Sequence, residues 1–169
     1  MSRKGQVAVE FFIYAGVFLA IAIMAFSLTT FTERGEVALR ESQYFHEFGQ
    51  RFSYASTIAF RGGEGFVYDF YFPGNIDGKP YGVYFVTEVD HTGAPERSSV
   101  IVNWTGTYQE YVYSYMIPAA DYDPVGGSCA STYSYVGHTK VVQVDVSGGR
   151  MVLNNTNGED IKVSCGVEE

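Results

Sequence analysis

The chain has 169 residues, with 19 acidic and 11 basic side chains and a formal net charge of -8. That length holds one domain with a sizeable core plus an appendage. A net-negative chain without a basic patch is excluded as an ordinary nucleic-acid binder.

Residues 1–5, MSRKG, are basic and end in glycine. From Phe11 to Thr32 no charged residue occurs. As a helix, that run spans about 33 Å, enough to cross a bilayer core. Arg3 and Lys4 precede it, so the N-terminus is expected on the cytoplasmic side and the rest outside. An ordinary secretory signal has a shorter apolar region ending at a small-residue cleavage site. Here Ala20-Ile21-Ala22, the one candidate site, falls in the middle of the run.

The apolar pattern then narrows to a stripe. Leu28, Phe31, Gly35, Ala38, Ser42, Phe45, Gly49, Phe52, Ser56 and Ala59 recur at spacings of three and four. Glu33, Glu36, Arg40, Glu47, Gln50 and Arg51 fall on the opposite face. Residues 6–60 therefore read as one helix, apolar all round over 6–32 and amphipathic over 33–60. Gly35 and Gly49 each cost a helix interior about 1 kcal/mol against alanine. They mark either weak spots or the close approach of another chain segment. Arg61-Gly62-Gly63-Glu64-Gly65 ends the helix.

Beyond residue 65 the period becomes two. Strands are expected over 66–72, 81–89, 98–104, 108–117, 131–136, 139–146, 150–154 and 160–165, separated by turn clusters such as Pro73–Gly78 and Asn157-Gly158. The fold class is α+β: a long N-terminal hydrophobic and amphipathic helix followed by an all-β antiparallel sheet or sandwich.

Catalytic constellations are not apparent. His46, His91 and His138 are far apart in sequence, and His46 reads as a helix-surface residue. Asp90-His91 reads as a solvated loop at a strand end. Asp121-Tyr122-Asp123 resembles the start of a calcium loop, but no carboxylates follow at ligand spacing. No metal, cofactor or enzymatic activity is expected. The rings, 14 Tyr, 13 Phe and one Trp, fit a packed core and sheet faces. The rival is a tyrosine-lined adhesive face formed by Tyr108, Tyr111, Tyr113, Tyr115, Tyr122, Tyr133 and Tyr135. Cys129 and Cys165 are free thiols, a disulfide, or a nucleophile with a bystander, and an extracellular location favours the disulfide. Asn103-Trp104-Thr105 and Asn154-Asn155-Thr156 are N-glycosylation sequons.

Glu10 is the anomaly, because a carboxylate at the start of an apolar run needs a partner. If the chain is cut between Gly5 and Gln6, Arg3 and Lys4 are lost and a new α-ammonium appears on Gln6. Glu10 then lies one helical turn, about 6 Å, from it. A neighbouring, staggered helix could bring its own amine to this carboxylate, which would set axial register much as a buried polar group does in a coiled coil. The alternative is a snorkelling or protonated glutamate at the membrane edge.

Basic residues, then Gly5 and Gln6-Val7-Ala8-Val9-Glu10-Phe11 before a long apolar helix, resemble the type IV pilin superfamily. The form Gly-Gln-x-(small)-x-Glu-Phe is similar to archaeal class III (prepilin) signal peptides. Ala8 and Tyr14 stand where that subgroup often has serine and leucine. The stretch 63–85, with its aromatic strand, Pro73, Ile76-Asp77-Gly78 and Tyr81, is similar to ectodomains of archaeal pilin-like proteins. The resemblance implies a leader at 1–5, a helix at 6–60 whose 6–32 part enters the membrane and then a filament core, and an extracellular β domain at 61–169. It implies cleavage between Gly5 and Gln6 by a prepilin peptidase, and a register role for Glu10 with Gln6. It also implies assembly with other copies or related pilins by an ATPase and a membrane platform protein. A major or minor pilin with an adhesive surface is thus expected. The alternative is a membrane-tethered binding module or pseudopilin-like component that forms no long filament.

Overall fold

The computed structural model describes residues 3–125 and 133–165, with side chains at 9–125 and 137–164. The architecture is α+β. One helix, α1 (Arg3–Arg61), precedes nine strands. These are β1 (Val67–Tyr71), β2 (Tyr81–Val89), β3 (Pro95–Thr105), β4 (Glu110–Ile117), β5 (Asp121–Pro124), β6 (Tyr133–Val136), β7 (Thr139–Val144), β8 (Arg150–Asn155) and β9 (Asp160–Cys165). The chain divides into two compact units, Met1–Arg40 and Glu41–Glu169.

In the first unit, α1 carries its apolar side chains outward. Every described residue from Val9 to Thr32 except Thr30 is exposed.

The second unit contains the last turns of α1 and two sheets, ordered β4-β3-β2-β7-β6 and β1-β8-β9-β5. The strands form where the sequence alternates. In β2, Tyr81, Val83, Phe85 and Thr87 are buried, while Gly82, Tyr84 and Val86 between them are half-exposed. Along α1, Phe45, Phe48, Phe52, Ala55, Ser56 and Ala59 are buried. All of these but Ser56 share one hydrophobic core with Val83, Phe85, Val100, Val102 and Trp104 from one sheet and Met151, Leu153, Ile161 and Val163 from the other. Phe48 meets Tyr81 edge-on at 5.0 Å between centroids, and Phe52 meets Phe70 edge-on at 5.0 Å. The helix ends in a C-cap: Gly62 N–H donates to Ile58 C=O at 3.0 Å, and Gly63 N–H donates to Phe60 C=O at 3.3 Å. The buried Asn155 amide donates to the carbonyls of Ala59 and Phe60, at 3.3 and 3.1 Å.

β3 starts at Pro95, three residues before its expected start, and β7 ends at Val144 rather than at residue 146; two further features depart from the expected strands. β5 is a ninth strand, and it pairs with β9 in parallel, so the sheets are antiparallel except at this edge. Its alternating Asp-Tyr-Asp is a strand period that its acidity and Pro124 disguise. β4 starts at Glu110 rather than Tyr108, because a tight turn closed by Gly106 N–H to Gln109 C=O at 2.9 Å takes up the intervening residues.

Candidate functional site: the apolar helix surface

Residues 9–32 form the most unusual surface of the chain. Phe12, Phe18, Phe26 and Phe31 point outward with Ile13, Leu19, Ile21, Ile23 and Leu28, and Phe31 is 80% exposed. Soluble domains rarely leave contiguous apolar areas of this extent in water. The helix is long and apolar enough to cross a membrane. Three of its hydroxyls are provided for internally. Thr29, Thr30 and Thr32 donate their hydroxyls to the carbonyls four residues earlier, at 3.0, 2.9 and 2.9 Å. An apolar environment therefore meets no unsatisfied threonine hydroxyl here.

Glu10 is the exception. It is exposed on α1, one turn after Gln6, and no described side chain pairs with it. Gly5 and Gln6 lie in helical backbone, because α1 begins at Arg3. Their side chains, like Cys129 and the side chain of Cys165, fall outside the described residues; the Cys165 backbone pairs with Met151 in the β8–β9 ladder. Asn103 and Asn154 are half-buried residues of β3 and β8, each alternating with core-facing neighbours.

The glycines of the helix behave differently. A side chain on Gly35 would meet nothing within 4 Å. One on Gly49 would lie 2.5 Å from the Tyr115 ring, so Gly49 marks close approach. The tyrosine cluster serves packing. Tyr111 and Tyr122 are buried, and Tyr122 stacks on Phe85 at 4.9 Å. The Tyr113 hydroxyl lies 2.7 Å from Ser42 Oγ, and the Tyr115 hydroxyl lies 3.0 Å from His46 Nδ1 and donates to His46 C=O at 2.9 Å. A continuous tyrosine face is thereby ruled out for these four. Tyr108 remains exposed, and the Tyr133 and Tyr135 side chains are outside the described set. Burial pushes the Tyr115 hydroxyl up to about 12, with a further contribution from Tyr113. His46 is exposed on the helix, as expected, and also anchors Tyr115.

His91 and His138, distant in sequence, meet edge-on at 5.1 Å because β2 pairs with β7. They line a shallow hollow of about 300 Å³ with Glu88, Asp90 and Glu96. Among the described residues no group of three or more His, Cys, Asp and Glu side chains is placed to hold a metal ion.

Asp121 and Asp123 hold a lysine. The Lys140 ammonium, on β7, donates to Oδ1 of both aspartates, and Lys162 Nζ donates to Asp123 Oδ2 at 2.7 Å. No signal in the sequence pointed to Lys140, since lysine is normally read as exposed.

Comparison with family models, with curated proteins and with solved structures finds no match to this chain.

Proposed function

We propose that the chain is a structural subunit, major or minor, of an extracellular type IV pilus-like filament. The observation that carries this reading is the exposed, charge-free helix surface from Phe11 to Thr32 with a lone carboxylate at its start. A simple anchor needs the apolar run but gains nothing from Glu10, which is costly at the edge of hydrocarbon. A subunit uses both. Cleavage between Gly5 and Gln6 removes two cations and creates an ammonium that pairs with Glu10 of a neighbouring copy. The run from Phe11 to Thr32 then packs against like helices in the filament core. The unit from Glu41 onward faces outward and supplies the adhesive surface. The partners are other copies or related pilins, a prepilin peptidase, an assembly ATPase and a membrane platform protein.

The same apolar surface also suits a second reading, a membrane-tethered binding module or pseudopilin-like component without a long filament. Glu10→Gln separates the two. The variant keeps the apolar run, so it inserts and is cut as before. On the filament reading, sheared filaments fall sharply at equal membrane levels, because breaking a buried ion pair costs about 3–5 kcal/mol. Normal filament numbers from Glu10→Gln contradict a register role. An unmutated protein that is cleaved but never enters filaments favours the tethered module.

A further inference from the structure

Lys140 is the one buried charged side chain among the described residues, at 3% exposure. It belongs to the inward-facing set of β7 with Val142 and Val144. Its ammonium is hydrogen-bonded to carboxylates from the other sheet, Asp121 Oδ1 and Asp123 Oδ1, both on β5. The aspartates are held in place. Tyr122 between them is stacked on Phe85 and donates its hydroxyl to Pro118 C=O at 3.3 Å. Just before them, Ser98 Oγ donates to Ala120 C=O at 3.0 Å. The parallel register of β5 and β9 sets Lys162 opposite Asp123 and brings its ammonium to Oδ2.

We infer that Lys140 and Asp123 condense to an intramolecular isopeptide bond that joins the two sheets covalently. Each member of the cluster has a role in that reaction. Asp121 takes a proton from the Lys140 ammonium, leaving a neutral amine. The amine nitrogen attacks Asp123 Cγ and forms the new C–N bond. Negative charge gathers on Oδ2, where the Lys162 ammonium stabilises it. Asp121 relays two protons from nitrogen to Oδ1, the Cγ–Oδ1 bond breaks, and Oδ1 leaves as water. Of the three ammonium protons, one stays on the amide nitrogen and two depart in that water. No oxidant or other reactant is required, and Asp121 returns to its carboxylate.

Burial alone drives Lys140 toward the neutral amine, but Asp121 and Asp123 more than reverse this and hold it charged in the unreacted state. Proton transfer to Asp121 is therefore the step that starts the reaction. The reaction replaces a buried ammonium and its half-buried carboxylate partner, costly to desolvate, with a neutral amide. The ordered geometry of amine and carboxyl supplies the proximity such a condensation needs.

The test is tandem mass spectrometry of the full chain, purified in detergent, reduced, denatured and digested. The expected result is a branched peptide joining Lys140 to Asp123, lighter than its two linear parts by one water. Linear peptides with Lys140 and Asp123 unmodified would overturn the inference. A branch to Asp121 instead would overturn the assigned roles. Asp121→Asn should abolish most of the branched peptide while circular dichroism shows the fold retained. Lys140→Arg should give only linear peptides. Undiminished cross-linking in Asp121→Asn would also overturn the role assigned to Asp121.

Discussion

The carboxylate of Glu41, on α1, accepts the backbone N–H of Thr107, in the β3–β4 turn, at 3.0 Å with Oε1 and 3.1 Å with Oε2. Thr107 Oγ1 also donates to Oε1, and the Tyr111 hydroxyl donates to Oε2 at 3.2 Å. Glu41 is thus the first residue of its compact unit and fixes the turn above it. Glu41→Ala should lower stability by about 1–3 kcal/mol, because charge-assisted bonds are lost and the turn loses its acceptor. Denaturant unfolding of the detergent-solubilised chain measures this. A loss within experimental scatter would show that the turn is held by its own backbone.

The two helix glycines should respond in opposite directions. Gly49→Ala places a methyl group against the Tyr115 ring, and that ring cannot swing away freely because its hydroxyl is tied to His46. Overpacking of this kind costs about 1–3 kcal/mol. Gly35→Ala meets no atom and should gain up to about 1 kcal/mol of helix propensity. Thermal melts of the two variants side by side give the answer, and equal shifts would contradict the packing difference.

Asn154 and Asn155 are adjacent but unequal. Asn155 is fully buried, caps the helix carbonyls and accepts the Gly158 N–H at 2.7 Å. Asn155→Leu should cost roughly 1–3 kcal/mol by leaving those groups unpaired. Asn154→Gln should leave the melting temperature within a degree or two and remove any glycan carried there. A large loss from Asn154→Gln would show that this side chain is structural.

Ionisation sets the pH range of stability. The Arg150 guanidinium hydrogen-bonded to Asp69 holds its carboxyl below the usual value, against the opposing effect of burial. Asp90 is lowered by its Thr92 hydroxyl and backbone N–H donors, and Asp145 by Ser147. A lowered folded-state value contributes stability above the unfolded value, about 3.9 for aspartate, and loses it as pH falls through the folded one. In the chain before the cross-link forms, Lys140 is raised, so its contribution is complete below the usual lysine value, about 10.4, and fades as pH rises through its higher folded value. Melting temperature against pH should be flat from about 5 to 9 and fall on the acid side below about 4. A main loss between pH 6 and 8 would contradict this.

The helix and eight strands were legible because local periodicity sets them. Phe45, Phe52, Ser56 and Ala59 lie on the buried stripe that the three-and-four spacing foretold. Phe48 and Ala55 escaped because two sheets, rather than one neighbour, cover the helix and widen its buried face. β5 was missed because four residues with two acids and a proline carry little local signal. Lys140 was hidden for a different reason. Its partners are set by sheet order and the β5–β9 register, long-range pairings that no local pattern contains. The tyrosines were ambiguous for the same reason, since spacing alone cannot say whether a ring turns toward a helix or toward solvent.

The central claim, that a trimmed helix builds a filament, is tested most directly by the N-terminal residue of this protein in sheared surface filaments from its source cell. Gly5 and Gln6 start inside α1, where glycine weakens the helix by about 1 kcal/mol and eases the local opening that a peptidase needs. The account predicts that the protein is recovered in the filaments and begins at Gln6, free or cyclised. A protein absent from the filaments, or one beginning at Met1 or after Ala22, would contradict it.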